Sequence, residues 1–234
     1  MNQINLLAYH GDPAVKSKYM CIVENHRLDD EISQDYGYWK DGAVGCTLHG
    51  KKHQEYPSEL GIPEVLAWLE DAIFAGMPFV EATRYPGRFL AAPQPGADLS
   101  LVNNRFAVWM LSSDDFGLQN IVNRSIKLAI DRVVALHLRT INGNHPSPVE
   151  WSIASSEADL AGRHSVSSAA WSAAESAAWS ACVSIASSSD VSVLKAVNAL
   201  TARSADVLDA RYAAHLKMSE RLLTLMSEAP VAAA

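Results

Sequence analysis

The segment AVKSKYMCIVENHRLDDEIS, residues 14–33, spaces its apolar positions three or four apart, so that Val15, Tyr19 and Ile22 share one face and His26 continues it. That interval matches the turn of an α-helix and not the two-residue alternation of a strand. Asp12 can cap the exposed amides at its start, and Pro13 suits a first helical position. A second helix, PEVLAWLEDAIFA (residues 63–75), opens at Pro63, with Val65, Leu69, Ala72 and Ile73 as its buried stripe. Gly76 and Pro78 provide its stop. Glu70 and Asp71 project about 100° apart on that helix and so do not converge on one substrate; both are expected on its solvated side, with one facing the pocket as the alternative. Residues 77–97, rich in proline and glycine, predict an irregular connection, in which Arg84 and Arg88 either bind an anion or hold the loop. Asp98 can cap a helix through LSLVNNRFAVWML. A longer one is expected over residues 118–141, with Ile126, Ile130, Val133, His137 and Ile141 along one face and Gly143 at its end. His137 there reads as a core or rim histidine. No segment alternates convincingly, so the expected fold is all-α.

Beyond NGNHPSPVE, the best candidate linker, the composition changes. Residues 168–187, SAAWSAAESAAWSACVSIAS, repeat in tetrads headed by Ser168, Ser172, Ser176, Ser180 and Ser184, with Trp171 and Trp179 adding contact area. Alanine favours helix, and the following segment carries Val193, Val197, Leu200, Val207, Met218, Leu222 and Leu225 at helical spacing after a capping Asp190. The expected organisation is an N-terminal helical domain over residues 1–145 and a long C-terminal helical hairpin over residues 151–228, with a low-complexity linker as the alternative for the tail.

With 234 residues, 49% hydrophobic and 19% charged, the chain is long enough for one substantial core or two modest ones. Its net charge of −7 argues against general affinity for nucleic acid, which depends on Lys and Arg clusters. No apolar run is long enough to cross a bilayer, and the N-terminus lacks a basic segment followed by an apolar one, so the expected location is cytoplasmic. Cys21, Cys46 and Cys182 are odd in number and far apart, and imply no disulfide framework.

The chemistry concentrates in GAVGCTLHG, residues 42–50. Gly42, Gly45 and Gly50 permit positive backbone angles and close approach of chain to chain. A helix beginning at Cys46 or Thr47 would lower the thiol pKa through free amides, and His49 would share a face with Cys46, the geometry of a nucleophile and its base. A free cysteine is also commonly a small buried hydrophobe. Cys46, His49 and His53 have a C-x2-H-x3-H spacing that suits zinc, with His10 or His26 as a fourth ligand, but Gly50 interrupts the helix and no CxxC pair is present. Neither a metal nor a cofactor is expected. Asp29, Asp30 and Glu31 oppose the dipole at the end of the first helix, and either point to water or pair with a nearby cation such as protonated His26.

The motif, with YPSELGIPEVLAWLEDAIF after it and the Ala/Trp tetrads in the tail, resembles an uncharacterised family of bacterial and bacteriophage proteins. There a Gly-Cys-Thr-Leu/Ile-His motif follows an aromatic W-x-x-G element, here Trp39-Lys40-Asp41-Gly42. The resemblance covers residues 1 to about 140, the tail matching in composition only. It implies a bacterial or phage cytoplasmic origin and supplies no activity and no catalytic residue.

Two functions remain open. One is a small-molecule site, catalytic through Cys46, His49 and His26 in thiol acyl transfer or hydrolysis, and lined by His10, Asp30, Trp39, Gly45 and His53. The other is a non-catalytic phage or bacterial protein that binds and modulates a host protein through its Ala/Ser/Trp helical surface. The expected partner is accordingly a small molecule or a protein, with self-association through the hairpin also possible.

Overall fold

The computed structural model describes residues 6–29, 31–34, 42–49, 52–116, 123–163 and 208–232. Its helices are α1 Pro13–Leu28, α2 Ala43–Leu48, α3 Tyr56–Leu60, α4 Glu64–Phe74, α5 Phe79–Ala82, α6 Tyr85–Ala91, α7 Val102–Ser112, α8 Arg124–Ile141, α9 Pro148–Arg163 and α10 Leu208–Ser227. Extended pairing is minor, with isolated bridges such as Leu7–Asp98 and Ala97–Val231, and the protein is all-α. The chain divides into two compact units, residues 1–102 with 215–234, and residues 103–214.

In the first unit, the Asp12 carboxylate accepts from the Ala14 amide and Pro13 opens α1, so the local start signal operates as its chemistry requires. Tyr19 and Val23 are its buried positions. α2 packs against α1, α4 and α6. Residues 77–97 are only in part the irregular connection their prolines suggest: they hold α5 and α6, and the chain is irregular over 92–97. Pro78 stands at the N-cap of α5 and Pro86 in the first turn of α6, positions where a missing amide proton costs nothing. α4 is buried on most of its circumference, at Leu66, Ala67, Leu69, Glu70, Ala72, Ile73 and Phe74. Glu70 therefore lies in the core and not on a solvated side, while Val65 is only half-buried.

Residues from both ends of the chain close this unit. The Ala8 amide donates to the Ala97 carbonyl (2.9 Å), Gly96 to Ala8 (2.8 Å), Asp98 to Pro230 (2.8 Å) and Ala232 to Gly96 (3.0 Å). From α10, Met218, Leu222 and Met226 are fully buried, and His215 Nδ1 bonds the Ile73 carbonyl at 3.1 Å. The ring lies so close to Gly76 that a Cβ there would stand 2.0 Å from its Cε1.

In the second unit, α8 begins at Arg124 and not at residue 118. The Asn123 side chain accepts from the amides of Ser125 and Ile126 and fixes the start. Ile126, Ile130, Val133 and His137 are buried, and α8 packs against α9, whose buried positions include Trp151, Ala154 and Ala158. Residues 142–147, inside the stretch read as a linker, form the turn between these helices. Gly143 takes φ +78°, and a reciprocal cap joins Ser147 and Glu150, whose side chains each accept from the other's amide (2.8 and 3.3 Å). Residues 164–207, with the serine tetrads, Trp171, Trp179 and Cys182, lie outside the described residues, so of the expected hairpin only α9 and α10 are described.

Candidate functional site

Gly42 takes φ +91° at the N-cap of α2, and the helix that follows puts Cys46 in its second turn, its amide donating to the Gly42 carbonyl at 3.2 Å. Cys46 therefore has no unpaired helix-start amide beside its sulfur, in contrast to the expectation of a helix beginning at Cys46 or Thr47. Gly45 lies inside the helix with a buried backbone, and its φ is not positive. His49 ends α2 as a left-handed cap (φ 55°), and so leaves the helical face on which Cys46 sits.

The imidazole that reaches the sulfur comes from α1. His26 Nδ1 lies 3.3 Å from Cys46 Sγ. Its other nitrogen, Nε2, lies 3.8 Å from Glu31 Oε2. Chain geometry explains the second approach: beyond α1 the Glu31 amide folds back to donate to the His26 carbonyl at 2.9 Å, which returns the acidic side chain over the ring. The His49 ring packs on that of His26, centroids 4.8 Å apart. Thiol, imidazole and carboxylate thus follow in the order of a nucleophile, a base and its orienting acid. The sulfur is 1% exposed, and burial pushes the thiol up to about 12, with the carboxyl groups of Glu70 and Glu31 acting in the same direction. It is thus an un-ionised thiol facing an imidazole.

Beneath this pair lies a layer of buried polar groups. Tyr56 donates to Glu70 Oε2 at 2.7 Å, while Glu70 Oε1 and the Tyr85 hydroxyl are buried without a partner. Burial raises the Glu70 pKa well above its ordinary value, which the Tyr56 hydrogen bond only partly counters. Asp71, the neighbouring carboxylate, supports α2: it accepts from the Val44 amide (3.1 Å) and from His53 Nε2 (2.7 Å). His53 is buried and stacked on Trp68.

The other candidate residues are placed elsewhere. His53 is turned to Asp71, and His10 is exposed with its Nε2 3.0 Å from the Ser58 carbonyl. Among the described residues no three His, Cys, Asp or Glu side chains gather as metal ligands, so the C-x2-H-x3-H spacing does not become a zinc site. Asp30, Trp39 and Gly50 lie outside the described residues. Glu31, named only within an acidic cluster, and Asp71, expected in solvent, are the supporting carboxylates. The signal for Asp71 was hidden because its partners, Val44 and His53, are remote in sequence.

Comparison with family profiles, with curated proteins and with solved structures yields no match for this chain.

Proposed function

We propose that the chain is a thiol-dependent acyl-transfer enzyme or hydrolase acting on a small molecule, with Cys46 as nucleophile, His26 as general base and Glu31 as the positioning carboxylate. The observation that supports this reading is the 3.3 Å contact between the Cys46 sulfur and His26 Nδ1, with a carboxylate on the far side of the ring. As Sγ attacks a carbonyl carbon, the thiol proton passes to Nδ1. The leaving amine or alcohol takes that proton when the adduct collapses to a thioester. Water, deprotonated by the same imidazole, then releases the acid and restores the thiol. Because burial disfavours a standing thiolate, His26 is needed in the attack itself and not merely to hold an ion pair. The reading suits a reducing cytoplasm, where an unpaired thiol persists, and we extend it to the bacterial and bacteriophage proteins that share the motif. No described helix is long and apolar enough to cross a membrane.

The test is acylation by p-nitrophenyl acetate with peptide mapping. We expect the acetyl group on Cys46, and a His26→Gln variant acylated about 10²- to 10⁴-fold more slowly, the usual worth of a positioned base. An acetyl group confined to Cys21 or Cys182, or a rate indifferent to His26, overturns the reading and leaves the interaction role.

A further inference from the structure

α1 carries His26 and Arg27 at consecutive positions, and the segment after it carries Glu31 and Ile32 likewise. Adjacent helical residues point about 100° apart. His26 faces the sulfur, whereas Arg27 lines a cleft of 420 Å³ with Ile32, Phe79, Val80, Thr83 and Arg84. That volume falls within the roughly 300–1,000 Å³ of small-molecule sites. One side of the cleft is apolar: Ile32 is buried, while Phe79 and Val80 are 61% and 58% exposed. The polar side has two guanidinium groups in a chain whose net charge is −7.

The two arginines are not equivalent. Arg27 donates to Glu24 through Nε (2.8 Å) and Nη2 (2.6 Å), so an incoming anion must share its guanidinium with that carboxylate. Arg88, four residues beyond Arg84, is occupied by Glu220. Arg84 is exposed and makes no ion pair among the described residues. The Thr83 hydroxyl donates to the Val80 carbonyl, which leaves anion recognition to the guanidiniums. A planar guanidinium donates two parallel hydrogen bonds to a carboxylate or phosphate, and an exposed aromatic side chain beside it offers a face for a ring.

We infer that this cleft binds a small organic anion, an aromatic or similarly apolar body bearing a carboxylate or phosphate, with Arg84 as the principal anion contact, Arg27 as the auxiliary one, and Phe79, Val80 and Ile32 against the apolar part. The cleft stands on its own geometry. Its assignment as the recognition site of the acyl substrate rests on the proposed thiol chemistry and places an anionic group on that substrate.

Phenyl phosphate is the probe, titrated into the full-length protein and followed by backbone amide shifts. Saturable shifts are expected at residues 27–32 and 79–84. Inorganic phosphate and benzyl alcohol, which each supply half of the recognition, should bind at least tenfold more weakly. Arg84→Ala should weaken phenyl phosphate tenfold or more, Arg27→Ala less, and Arg84→Lys should fall between wild type and Arg84→Ala because the charge survives without the fork. Equal binding of the neutral alcohol, or affinity unchanged in Arg84→Ala, overturns the inference, as does an absence of shifts in these two segments. If phenyl phosphate seats here while Cys46 resists acylation, the enzymatic reading falls and the cleft stands. If Cys46 is acylated and phenyl phosphate does not bind, only the cleft falls.

Discussion

Glu70 is fully enclosed by the first unit, with one oxygen bonded to Tyr56 and the other without a partner. An ionised carboxylate in such surroundings is costly, so the group stays protonated and its pKa lies well above that of an unfolded glutamate. Above the unfolded value the denatured chain loses this proton while the native chain keeps it, and native stability falls as pH rises through the folded pKa. Glu70→Gln, an isostere of the protonated acid, should remove that decline, so its melting temperature should gain on wild type as pH increases from 4 to 8. Glu70→Ala instead leaves a cavity and an orphaned Tyr56 hydroxyl, and should cost about 2–4 kcal/mol at every pH in urea unfolding. A Glu70→Gln difference independent of pH would show that the carboxyl ionises in the native state. The burial of Glu70 was partly legible, since residue 70 stands four after Leu66 and three before Ile73. Packing that surrounds α4 on nearly every side is what encloses it, and similar enclosure leaves Cys46 buried with an un-ionised thiol, the alternative to a thiolate held at a helix start.

α2 has only six residues and depends on its neighbours for stability, because a helix of one or two turns does not repay its own nucleation. Asp71 anchors its start from α4, and α1 supplies the imidazole. α8, which packs on α9, is the opposite case, a long helix with a local cap whose buried positions Ile126, Ile130, Val133 and His137 were readable from period. In their interface His137 is completely buried, its Nδ1 3.1 Å from Asn104 Nδ2 and its ring 4.7 Å from that of Trp151. Burial lowers its pKa from 6.5 to about 3. Here the unfolded chain takes up a proton that the native one refuses, so the stabilisation present above pH 6.5 is lost as pH falls toward 3. The expected slope is about 1.4 kcal/mol per pH unit at most, the worth of one proton. Urea unfolding between pH 7 and 4, followed by Trp151 fluorescence, should show it, and His137→Gln should flatten it. An unchanged slope in the variant would assign the acid sensitivity to other groups.

The first unit is assembled from residues distant in the chain: its N-terminal helices are completed by Met218, Leu222 and Met226, more than a hundred positions later. Gly76 and His215 test that closure. A methyl at position 76 meets the buried ring at 2.0 Å, so Gly76→Ala should cost about 1–3 kcal/mol, as overpacking does. In a His215→Ala background the same methyl should be far better tolerated, giving a coupling of about 1 kcal/mol or more in a double-mutant cycle. Strict additivity would place the ring away from Gly76. Helix periodicity, the Asp12–Pro13 start and the absence of alternating segments were enough to establish an all-α protein, because those signals act within one or two turns of chain. Proline content misled over part of residues 77–97, where Pro78 and Pro86 occupy helix starts, while Pro93 and Pro95 do lie in irregular chain beyond α6. The motif at residues 42–50 advertised unusual backbone and a thiol, yet its own His49 was not the ring that reached the sulfur. Contacts between His26 and Cys46, between Asp71 and α2, and between Gly76 and His215 join residues 20, 27 and 139 positions apart. Such pairings arise when whole helices dock to bury apolar surface, and no local propensity encodes which faces will meet.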